Sequence, residues 1–468
     1  MAAESQSPVV IIGAGPAGLT AAFESVKRNL SPVLIEKSGK VGGIARTEFY
    51  RGYRFDIGGH RFYTHFENIQ RTWEEVLARD FLEVPRISRI YYKKRFYHYP
   101  LNFFNAISNL GVWEGLMILA SYVRAKLQPH EQEENFEQWV TNRFGWRLYE
   151  TFFKTYTEKV WGISCREIQA DWAAQRIKGL NLKSVLRDAI LGESRQKVKA
   201  LVRQFHYPVE GPGMMWESMQ KQVERRGGRV LLNSEAVRIR HAANAVDALS
   251  VRNCEKEFNL AGSSFISSIP LDELVFLLDP PPPEHVLDAA RNLAYRAFIL
   301  VGLIVNKPDL FPDNWIYVHS SDVKVGRVQN FKNWSSAMVP DPSRTSLGME
   351  YFCSEGDGIW NLPDAELISI AKKEIEMLGL SRASAVEDGV VYRQPKAYPV
   401  YNNGYRRHVQ TIREYLATFV NLQTIGRNGL HRYNNQDHSM LTAAMAVGNL
   451  AGEKNDLWSV NTEPSYYE

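Results

Sequence analysis

Residues 9–28 read VVIIGAGPAGLTAAFESVKR, a short apolar run followed by a glycine-rich turn and an amphipathic segment. The run 9–12 predicts a buried parallel strand, and Gly13, Gly15 and Gly18 follow it with the spacing G-x-G-x-x-G, with Ala17 inside the pattern. The first glycine makes a tight turn, the second lets backbone approach a pyrophosphate, and the third lets the helix pack on the strand. The stretch therefore predicts a dinucleotide-binding strand–turn–helix unit.

A second apolar segment, SPVLIEK at 31–37, predicts the next parallel strand and contains Glu36 near its end. An acidic side chain at this point can accept hydrogen bonds from the ribose hydroxyls of an adenosine. The Gly42–Gly43 pair and Arg46 then follow in KSGKVGGIART, and they resemble the second glycine motif beside the pyrophosphate in FAD-binding oxidases and desaturases. Because the chain has no second G-x-G-x-x-G, we predict one bound dinucleotide, FAD rather than NAD.

Two later segments predict further strands near the dinucleotide. SEAVRIRH at 234–241 resembles a strand that contacts the adenine, through Val237, and SSFISSIP at 263–270 resembles the strand after it. Plain core strands are an equal alternative for both segments.

The composition is that of an ordinary globular protein with two or three domains. The chain has 468 residues, 44% of them hydrophobic, and a net charge of +4, which predicts no nucleic-acid partner. Cys165, Cys254 and Cys353 are too widely spaced for a metal pair or a disulfide framework, so a reducing compartment, the cytoplasm, is expected.

The N-terminus lacks the pattern of a secretory signal. The apolar stretch GVWEGLMILASYV at 111–123 is too short to span a bilayer, and it predicts a core helix or, less favoured, a contact with a lipid surface.

The segment YRFDIGGHRFYTHF at 53–66 combines aromatic residues, a glycine pair and two histidines. The spacing of His60 and His65 does not place both on one helical face, and no carboxylate–histidine set accompanies them, so no metal is predicted. The Gly58–Gly59 pair instead suits a close approach of the backbone to a flat ligand.

Seven motifs occur in an order that resembles UDP-galactopyranose mutases, especially the eukaryotic-type branch. They are FDIGGHRFYTHF (55–66), EKVWGI (158–163), DWAAQRIKGLNLK (171–183), WIY (315–317), Arg327, AYPVY (397–401) and GRNGLHRYNNQDHS (426–439). The chain resembles protoporphyrinogen oxidase, amine oxidases and phytoene desaturase more distantly. The resemblance implies an α/β fold, with an FAD-binding Rossmann-like domain, an inserted helical domain and a mixed β-sheet substrate domain.

The expected domains are interleaved along the chain. We predict a discontinuous FAD-binding domain at 1–85, 205–270 and 415–460, a helical domain with a mobile flap at 103–200, and a sheet substrate domain at 86–102 and 271–414.

The resemblance also implies an isomerisation without net redox change. In this family, N5 of a reduced flavin attacks the anomeric carbon of a nucleotide sugar and the diphosphate leaves. The resulting adduct opens through an iminium and recloses, and the diphosphate then recaptures the sugar and releases the flavin, which interconverts pyranose and furanose forms. NAD(P)H could act as a transient reductant. The catalytic residues implied by the resemblance are His60 beside the flavin and the diphosphate-binding Arg327 and Arg427. For each arginine, an ordinary salt bridge is the alternative.

The remaining site residues follow from the same motifs. The substrate-binding residues implied are Arg86, Tyr99, Asn102, Trp161, Arg176 of the flap, Tyr317, Tyr398, Tyr433 and Asn435. The cofactor-binding residues implied, besides those above, are Gly59, whose carbonyl would accept from reduced N5–H, and Gly426, Gln436, Asp437 and Ser439. The helix after NQDHS is expected to point its N-terminus at the flavin, with Asp437 as its N-cap. His438 is either a site residue or a core histidine.

Departures from the family pattern keep the substrate open. Asn102 stands where the family has a glutamine that contacts uracil, and Thr157 stands where it has an asparagine. The chain could therefore rearrange a different nucleotide sugar, or it could oxidise an amine, isoprenoid or porphyrin-type substrate. A structural FAD protein is a third hypothesis. The sequence does not predict an oligomeric state.

Overall fold

The structure is a computed structural model that describes residues 8–99, 103–170 and 204–462. The predicted site residues Asn102 and Arg176 lie outside these ranges. The helices in the described ranges are α1 (Pro16–Lys27), α2 (Glu67–Leu77), α3 (Phe103–Leu110), α4 (Val112–Leu127), α5 (Phe136–Phe144), α6 (Trp146–Leu148), α7 (Thr155–Trp161), α8 (Gly213–Arg225), α9 (Leu271–Phe276), α10 (Glu284–Arg291), α11 (Asp364–Met377), α12 (Tyr405–Leu416) and α13 (Gln436–Leu450).

The strands form three larger sheets and two short two-stranded pairs. They are β1 (Val9–Ile12), β2 (Pro32–Ile35), β3 (Thr47–Tyr50), β4 (Tyr53–Asp56), β5 (Phe81–Pro85), β6 (Ser88–Tyr92), β7 (Arg95–His98), β8 (Gln204–Pro208), β9 (Arg229–Leu231), β10 (Ser234–Ala242), β11 (Ala245–Asn253), β12 (Lys256–Ala261), β13 (Ser264–Ser267), β14 (Leu278–Asp279), β15 (Tyr295–Val305), β16 (Trp315–Val318), β17 (Arg327–Asn330), β18 (Thr345–Cys353), β19 (Val386–Pro399) and β20 (Leu422–Thr424).

A five-stranded sheet carries the glycine-rich turn. Its strand order is β20–β13–β1–β2–β9, and each neighbouring pair is parallel. At its centre, Val9 of β1 pairs with Pro32 of β2 on one side and with Ser264 of β13 on the other. The sheet draws its strands from three separated parts of the chain, and the exact domain boundaries stay a prediction.

Both faces of this sheet are covered, which explains the unbroken apolar run at 9–12. Val9 and Ile11 pack with helices α1, α8 and α13 on one face. Val10 and Ile12 point the opposite way, because successive side chains of a strand alternate, and pack with β10, β11, α9 and α12. The dinucleotide-binding part is therefore a three-layer arrangement with the sheet in the middle.

The substrate side is built on a seven-stranded mixed sheet with the order β19–β15–β18–β17–β16–β6–β7. β15 lies second from one edge, and all its residues after Tyr295 are buried. A four-stranded sheet, β12–β11–β10–β14, covers the dinucleotide-binding part on its other side.

The stretch at 111–123 departs from its prediction as a core helix. It forms most of α4, yet α4 has no buried residue, and the Trp113 side chain is 75% exposed. Among the described elements, α4 contacts α3, α5 and α6, and it leaves Trp113, Leu116 and Leu127 exposed. No helix in the described ranges is long and apolar enough to cross a membrane.

One partly buried lysine joins α7 to the turn between β16 and β17. The Lys159 ammonium donates hydrogen bonds to the carbonyl oxygens of Val318, Ser320, Val323 and Val325 at 3.2, 2.7, 3.0 and 3.1 Å. Burial lowers the pKa of Lys159 to about 8. Because an ammonium has three hydrogens, the four oxygens share its donors, and the turn is held against α7.

Candidate active site

Glycines shape the turn between β1 and α1. Gly13 has a φ of +94°, and a Cβ on Gly18 would overlap the Gly13 carbonyl oxygen. A Cβ on Gly43 would lie 3.1 Å from the Cα of Gly15, so the second glycine pair packs directly against the first loop. α1 begins at Pro16 without a side-chain cap, which leaves its first N–H groups and partial positive charge facing this loop. Together these features form a cradle for a pyrophosphate.

Glu36 lies beside this cradle, immediately after β2. Its Oε2 accepts from the Ala14 N–H at 2.8 Å, and its Oε1 accepts from the Ser38 N–H and hydroxyl, both at 2.9 Å. A carboxylate has further lone pairs, which remain for ribose hydroxyls. The Ser234 N–H donates to the Glu36 carbonyl oxygen at 2.8 Å, which brings the strand that carries Val237 to the same place.

Arg46 forms a salt bridge and also braces the second glycine pair. Its Nε donates to Glu48 at 2.6 Å, and its Nη1 donates to the Gly43 carbonyl and the Gln394 side chain, both at 2.8 Å. The Arg46 guanidinium is therefore paired with a carboxylate. A contact of Arg46 with the pyrophosphate stays a prediction.

The N-terminus of α13 differs from its prediction in one residue. The cap is Asn435, whose backbone is extended, and its N–H donates to Nδ1 of His438 at 3.4 Å. The prediction that Asp437 is the N-cap is wrong, because the helix begins at Gln436 and Asp437 is its second residue. Asp437 still lies in the first turn, where a negative charge is stabilised by the helix dipole. His438 is buried, edge-on to Phe66, as a core histidine would be.

Gly426 brings the C-terminal segment against α1. A Cβ on Gly426 would lie 2.9 Å from the Cβ of Ala17, and its φ is +84°. Its N–H donates to Oγ1 of Thr442 in α13 at 2.9 Å. Ser439 is buried in the first turn of the same helix. The N-terminal parts of α1 and α13 are therefore held together through this glycine.

These residues fit a flavin dinucleotide. The glycine cradle and Glu36 suit the adenosine diphosphate end. At the other end, Gln436 donates through Nε2 to the His60 carbonyl oxygen at 3.4 Å, and its buried Oε1 has no hydrogen-bond partner among the described residues. A buried acceptor without a donor is costly, and a ring N–H of a flavin would satisfy it.

A cleft opens where the N-terminal segment of α13, the loop after β4 and the β16–β17 hairpin meet. Its lining residues are Gly59, His60, Arg61, Phe62, Tyr63, Trp315, Tyr317, Arg327, Gln329, Trp334, Tyr398, Arg427, Tyr433, Asn435, Gln436 and Asp437. Among the residues predicted from sequence, the structure brings together here His60, Arg327, Arg427, Tyr317, Tyr398, Tyr433, Asn435, Gly59, Gln436 and Asp437. Their individual roles stay predictions.

Three more predicted residues border the cleft through aromatic contacts. The Arg86 guanidinium lies 5.3 Å from the Tyr99 ring centroid, and Tyr99 meets Tyr317 edge to face at 5.2 Å. Trp161 lies 6.2 Å from Tyr433. These three therefore form a second layer behind the lining tyrosines.

Six lining residues were not predicted as site residues: Arg61, Phe62, Tyr63, Trp315, Gln329 and Trp334. The sequence offered one signal for two of them, because side chains alternate between the two faces of a strand. Trp315 is two residues from Tyr317, and Gln329 is two residues from Arg327, so each shares a strand face with a predicted residue.

A single carboxylate holds two of the lining side chains. Arg327 and Glu350 are cross-strand partners on β17 and β18, and Arg327 Nε donates to Glu350 Oε2 at 2.8 Å. The Gln329 amide nitrogen donates to the other oxygen of Glu350. Burial opposes the charge of Arg327, but the fully buried Glu350, together with Tyr398 and Tyr156, outweighs it and raises the pKa of Arg327 well above its ordinary value.

Replacing Glu350 with leucine is expected to lower the free energy of unfolding by about 3–5 kcal/mol, because the buried Arg327 loses its counter-charge. Urea unfolding monitored by circular dichroism measures this loss. Glu67→Gln is the control, because its ion pair with Arg71 is exposed, and it should unfold at the same urea concentration as the parent protein. Equal midpoints for both variants would show that the buried pair does not stabilise the fold.

Two arginines of the cleft have no carboxylate partner among the described residues. Arg427 donates through Nε to the Asn434 carbonyl at 2.8 Å, and its guanidinium lies 4.6 Å from the Tyr433 ring centroid. The Arg61 guanidinium lies 5.8 Å from the Trp315 ring centroid. Carbonyl and ring contacts orient these cations without neutralising them, so the cleft carries positive charge available to a ligand.

His60 is uncharged in this setting. Burial, and then the charges of Arg427 and Arg327, lower the pKa of His60 to about 3. One ring nitrogen, Nε2, lies 2.8 Å from the Ile57 carbonyl oxygen and donates to it. His60 is therefore a neutral side chain of fixed orientation rather than a cation.

Lowering the pH from 6.5 to 5 is expected to destabilise the protein. Burial lowers the pKa values of His60 and His319 to about 3 and that of His431 to about 4, so only the unfolded chain binds these protons, at a cost of roughly 1.6 kcal/mol for each group. Asp56 acts in the opposite sense, because burial raises its pKa to about 7 and the folded state binds that proton first, which returns roughly 2 kcal/mol. The net expectation is a loss of roughly 3 kcal/mol.

Urea midpoints measured across this pH range test the expectation. His431→Gln should make stability less dependent on pH, whereas the exposed His285→Gln should not. A midpoint that stays constant or rises as the pH falls would contradict the assignment of neutral buried histidines.

A family model described as flavin-containing amine oxidoreductase matches residues 16–413. The chain belongs to this family. As a member of the flavin-containing amine oxidoreductase family it is a flavoprotein, which agrees with the fit of the glycine cradle and of Gln436.

Solved structures with the same fold cover nearly the whole chain. A reduced UDP-galactopyranose mutase is 21% identical, with a TM-score of 0.85 over 98% of both chains. A putative protoporphyrinogen oxidase from Exiguobacterium sp. 255-15 is 16% identical, with a TM-score of 0.74 over 97% of this chain and 100% of that one. A putrescine oxidase with bound putrescine is 16% identical, with a TM-score of 0.65 over 96% and 99%. These likenesses confirm the predicted fold class and the resemblance to the mutases at the level of the fold.

Among curated sequences, thioredoxin reductase from Bacillus subtilis (strain 168) is 37% identical over 87 residues. The match spans 18% of this chain and 28% of the reductase. It is therefore a local similarity that covers under a third of that protein.

Proposed function

We propose that this flavoprotein interconverts the pyranose and furanose forms of a nucleotide sugar. The observation that carries the proposal is the positive charge of the cleft, where Arg427 and Arg61 have no carboxylate partner among the described residues. An anionic diphosphate would complete this site, whereas a protonated amine would be repelled by it.

The tyrosines of the cleft support the same ligand. Burial, and then the neighbouring Tyr433, raise the pKa of Tyr398, so its hydroxyl keeps its proton at neutral pH and can donate to a phosphate oxygen. Tyr398 and Tyr433 lie with parallel rings, their centroids 5.5 Å apart, beneath the Arg427 guanidinium. In this proposal the two phenols and Arg427 bind the diphosphate, which leaves the sugar next to it.

Reduced FAD, when bound, would supply the nucleophile for the anomeric carbon. The residues of the chain have three tasks around it. Gln436 and the N-terminus of α13 orient the ring and favour negative charge on it. The neutral His60 adds no cation that would compete with the arginines for the diphosphate. Arg327 and Arg427 stabilise the departing diphosphate. The proposal places the enzyme in the cytoplasm and has NAD(P)H deliver hydride transiently to the flavin.

The test is a product analysis under anaerobic conditions with the flavin held oxidised or reduced. UDP-galactofuranose, UDP-galactopyranose and a panel of other nucleotide sugars are supplied, and the ring forms are separated by chromatography. Interconversion with reduced enzyme alone is the expected result, and it would also identify the sugar. The absence of interconversion for every donor, in an enzyme whose flavin reduces normally, would overturn the proposal.

The family membership supports one alternative, an oxidase or desaturase acting on an amine, isoprenoid or porphyrin-type substrate. Peroxide release distinguishes it from the mutase. An oxidase should form peroxide from such a donor and oxygen, and it should not bind nucleotide sugars. The charge of the cleft argues against an amine substrate, because two cations without a carboxylate partner among the described residues would repel a protonated amine.

A further inference from the structure

Two neighbouring side chains in the wall of the cleft each keep one polar atom unsatisfied. Trp315 of β16 and Gln329 of β17 are directly opposite each other in the antiparallel pair, and both line the cleft. Their side chains are 4% and 0% exposed. Trp315 Nε1 and Gln329 Oε1 have no hydrogen-bond partner among the described residues. Trp334, which lines the same cleft, differs, because its Nε1 donates to the Asn314 carbonyl at 2.9 Å.

The orientation of the Gln329 amide is fixed by Glu350. Its nitrogen donates to the Glu350 carboxylate, which can only accept when ionised, so the amide oxygen must point away from Glu350. That oxygen lies 3.7 Å from the position that a Cβ on Gly59 would occupy. The unsatisfied acceptor is thus held beside the backbone of the glycine pair that borders the cleft.

A buried donor and a buried acceptor on directly opposite residues of a strand pair select one kind of ligand group. A hydroxyl accepts from one partner and donates to the other, whereas a carbonyl oxygen can only accept and an ammonium can only donate. Buried polar groups are costly unless they are paired, so a ligand that supplies a hydroxyl gains from both atoms. Small sugars are rich in such hydroxyls, whereas amines, isoprenoids and porphyrins do not offer them in this arrangement.

We propose that Trp315 Nε1 and Gln329 Oε1 together bind one ring hydroxyl of the substrate sugar. The inference rests on the proposed function. It adds residues that bind the sugar to those that bind the diphosphate. Tyr317 and Arg327 form the next cross-strand pair on the same face, about 7 Å along the strands. This spacing places the hydroxyl site about one sugar ring away from Arg327, which the proposed function assigns to the diphosphate. Glu350 is a positioning residue for both sites, because it holds Arg327 and Gln329.

The test compares ligands and variants in the FAD-loaded enzyme. Dissociation constants are measured by calorimetry for UDP, for UDP-galactose and for its 2-, 3-, 4- and 6-deoxy derivatives. Gln329→Leu removes the acceptor and Trp315→Phe removes the donor. Gln410→Leu is the matched control, because Gln410 is exposed on α12 and bonds to Glu414.

We expect each cleft variant to bind UDP-galactose about 10-fold more weakly and UDP within twofold of the parent enzyme. The parent enzyme should bind one deoxy derivative about 10-fold more weakly than it binds UDP-galactose. In Gln329→Leu and in Trp315→Phe, that derivative and UDP-galactose should bind equally well. Gln410→Leu should behave as the parent does.

Two results would overturn the inference in distinguishable ways. If UDP binds but no deoxy derivative loses affinity, or if the variants weaken UDP and UDP-galactose equally, the hydroxyl site is wrong and the proposed function stands. If neither UDP nor any other nucleoside diphosphate binds the FAD-loaded parent enzyme, the proposed function fails, and the hydroxyl site fails with it.

Discussion

Replacing Arg427 with lysine is expected to lower the turnover of the nucleotide sugar by about 100-fold or more while the flavin content stays unchanged. Arg427 Nε is committed to the Asn434 carbonyl, and Nη1 lies 3.3 Å from the Ala397 carbonyl, so the guanidinium is held over the two parallel tyrosines. A lysine keeps the charge. It cannot keep the two carbonyl bonds, the planar ring contact and a phosphate contact at the same time. The loss should therefore fall on catalysis rather than on folding.

The measurement pairs turnover by chromatography with the absorbance ratio of flavin to protein. Arg407→Lys, on the exposed side of α12, makes the same chemical change away from the cleft and should leave both values unchanged. Parental turnover in a flavin-replete Arg427→Lys enzyme would show that Arg427 does not bind the diphosphate. Loss of flavin would instead assign Arg427 to the cofactor.

The second large effect is expected from Gly18→Ala, which should yield protein with little or no bound flavin. The added methyl would overlap the Gly13 carbonyl oxygen and lie 3.0 Å from the Gly13 carbonyl carbon, and both atoms belong to the backbone of the pyrophosphate cradle. Backbone cannot rotate away as a side chain can, so α1 must move away from the turn. The N–H groups at the start of α1 then no longer meet the phosphates.

Absorbance spectra of the purified variants test this expectation. The control is Gly358→Ala, because a Cβ on Gly358 meets nothing within 4 Å and this glycine does not have a positive φ. A Gly18→Ala enzyme with a full complement of FAD would show that the dinucleotide does not use this turn.

Local patterns in the sequence predicted the dinucleotide-binding part well. The run 9–12 and the three glycines predict a strand, a turn and a helix from neighbouring residues alone, and each was confirmed. The prediction of a core helix at 111–123 was wrong, because it also used only neighbouring residues. Its residues are apolar enough for a core, but nothing in the sequence shows how many sides of a helix other elements will cover.

The part of the cleft that sequence reasoning missed depends on partners that are distant in the chain. Glu350 meets Arg327 only because β17 and β18 pair in a particular register, and Trp315 meets Gln329 only because β16 and β17 do. Neither register can be read from one sequence. The error at Asp437 is smaller: a capping residue was expected within the right polar cluster, but the helix begins one residue after Asn435.

The four carbonyl oxygens around the Lys159 ammonium make the hairpin independent of the cations in solution. Four backbone carbonyl oxygens converging at about 3 Å are the surroundings in which other proteins hold a potassium ion. Here the cation is tethered to α7, so it cannot be diluted away or exchanged for sodium. The hairpin that carries Trp315, Tyr317 and Arg327 thus needs no dissolved ion to keep its shape. The geometry of this hairpin, and the affinity of the cleft for its ligand, should be the same in potassium-rich and in potassium-free solution.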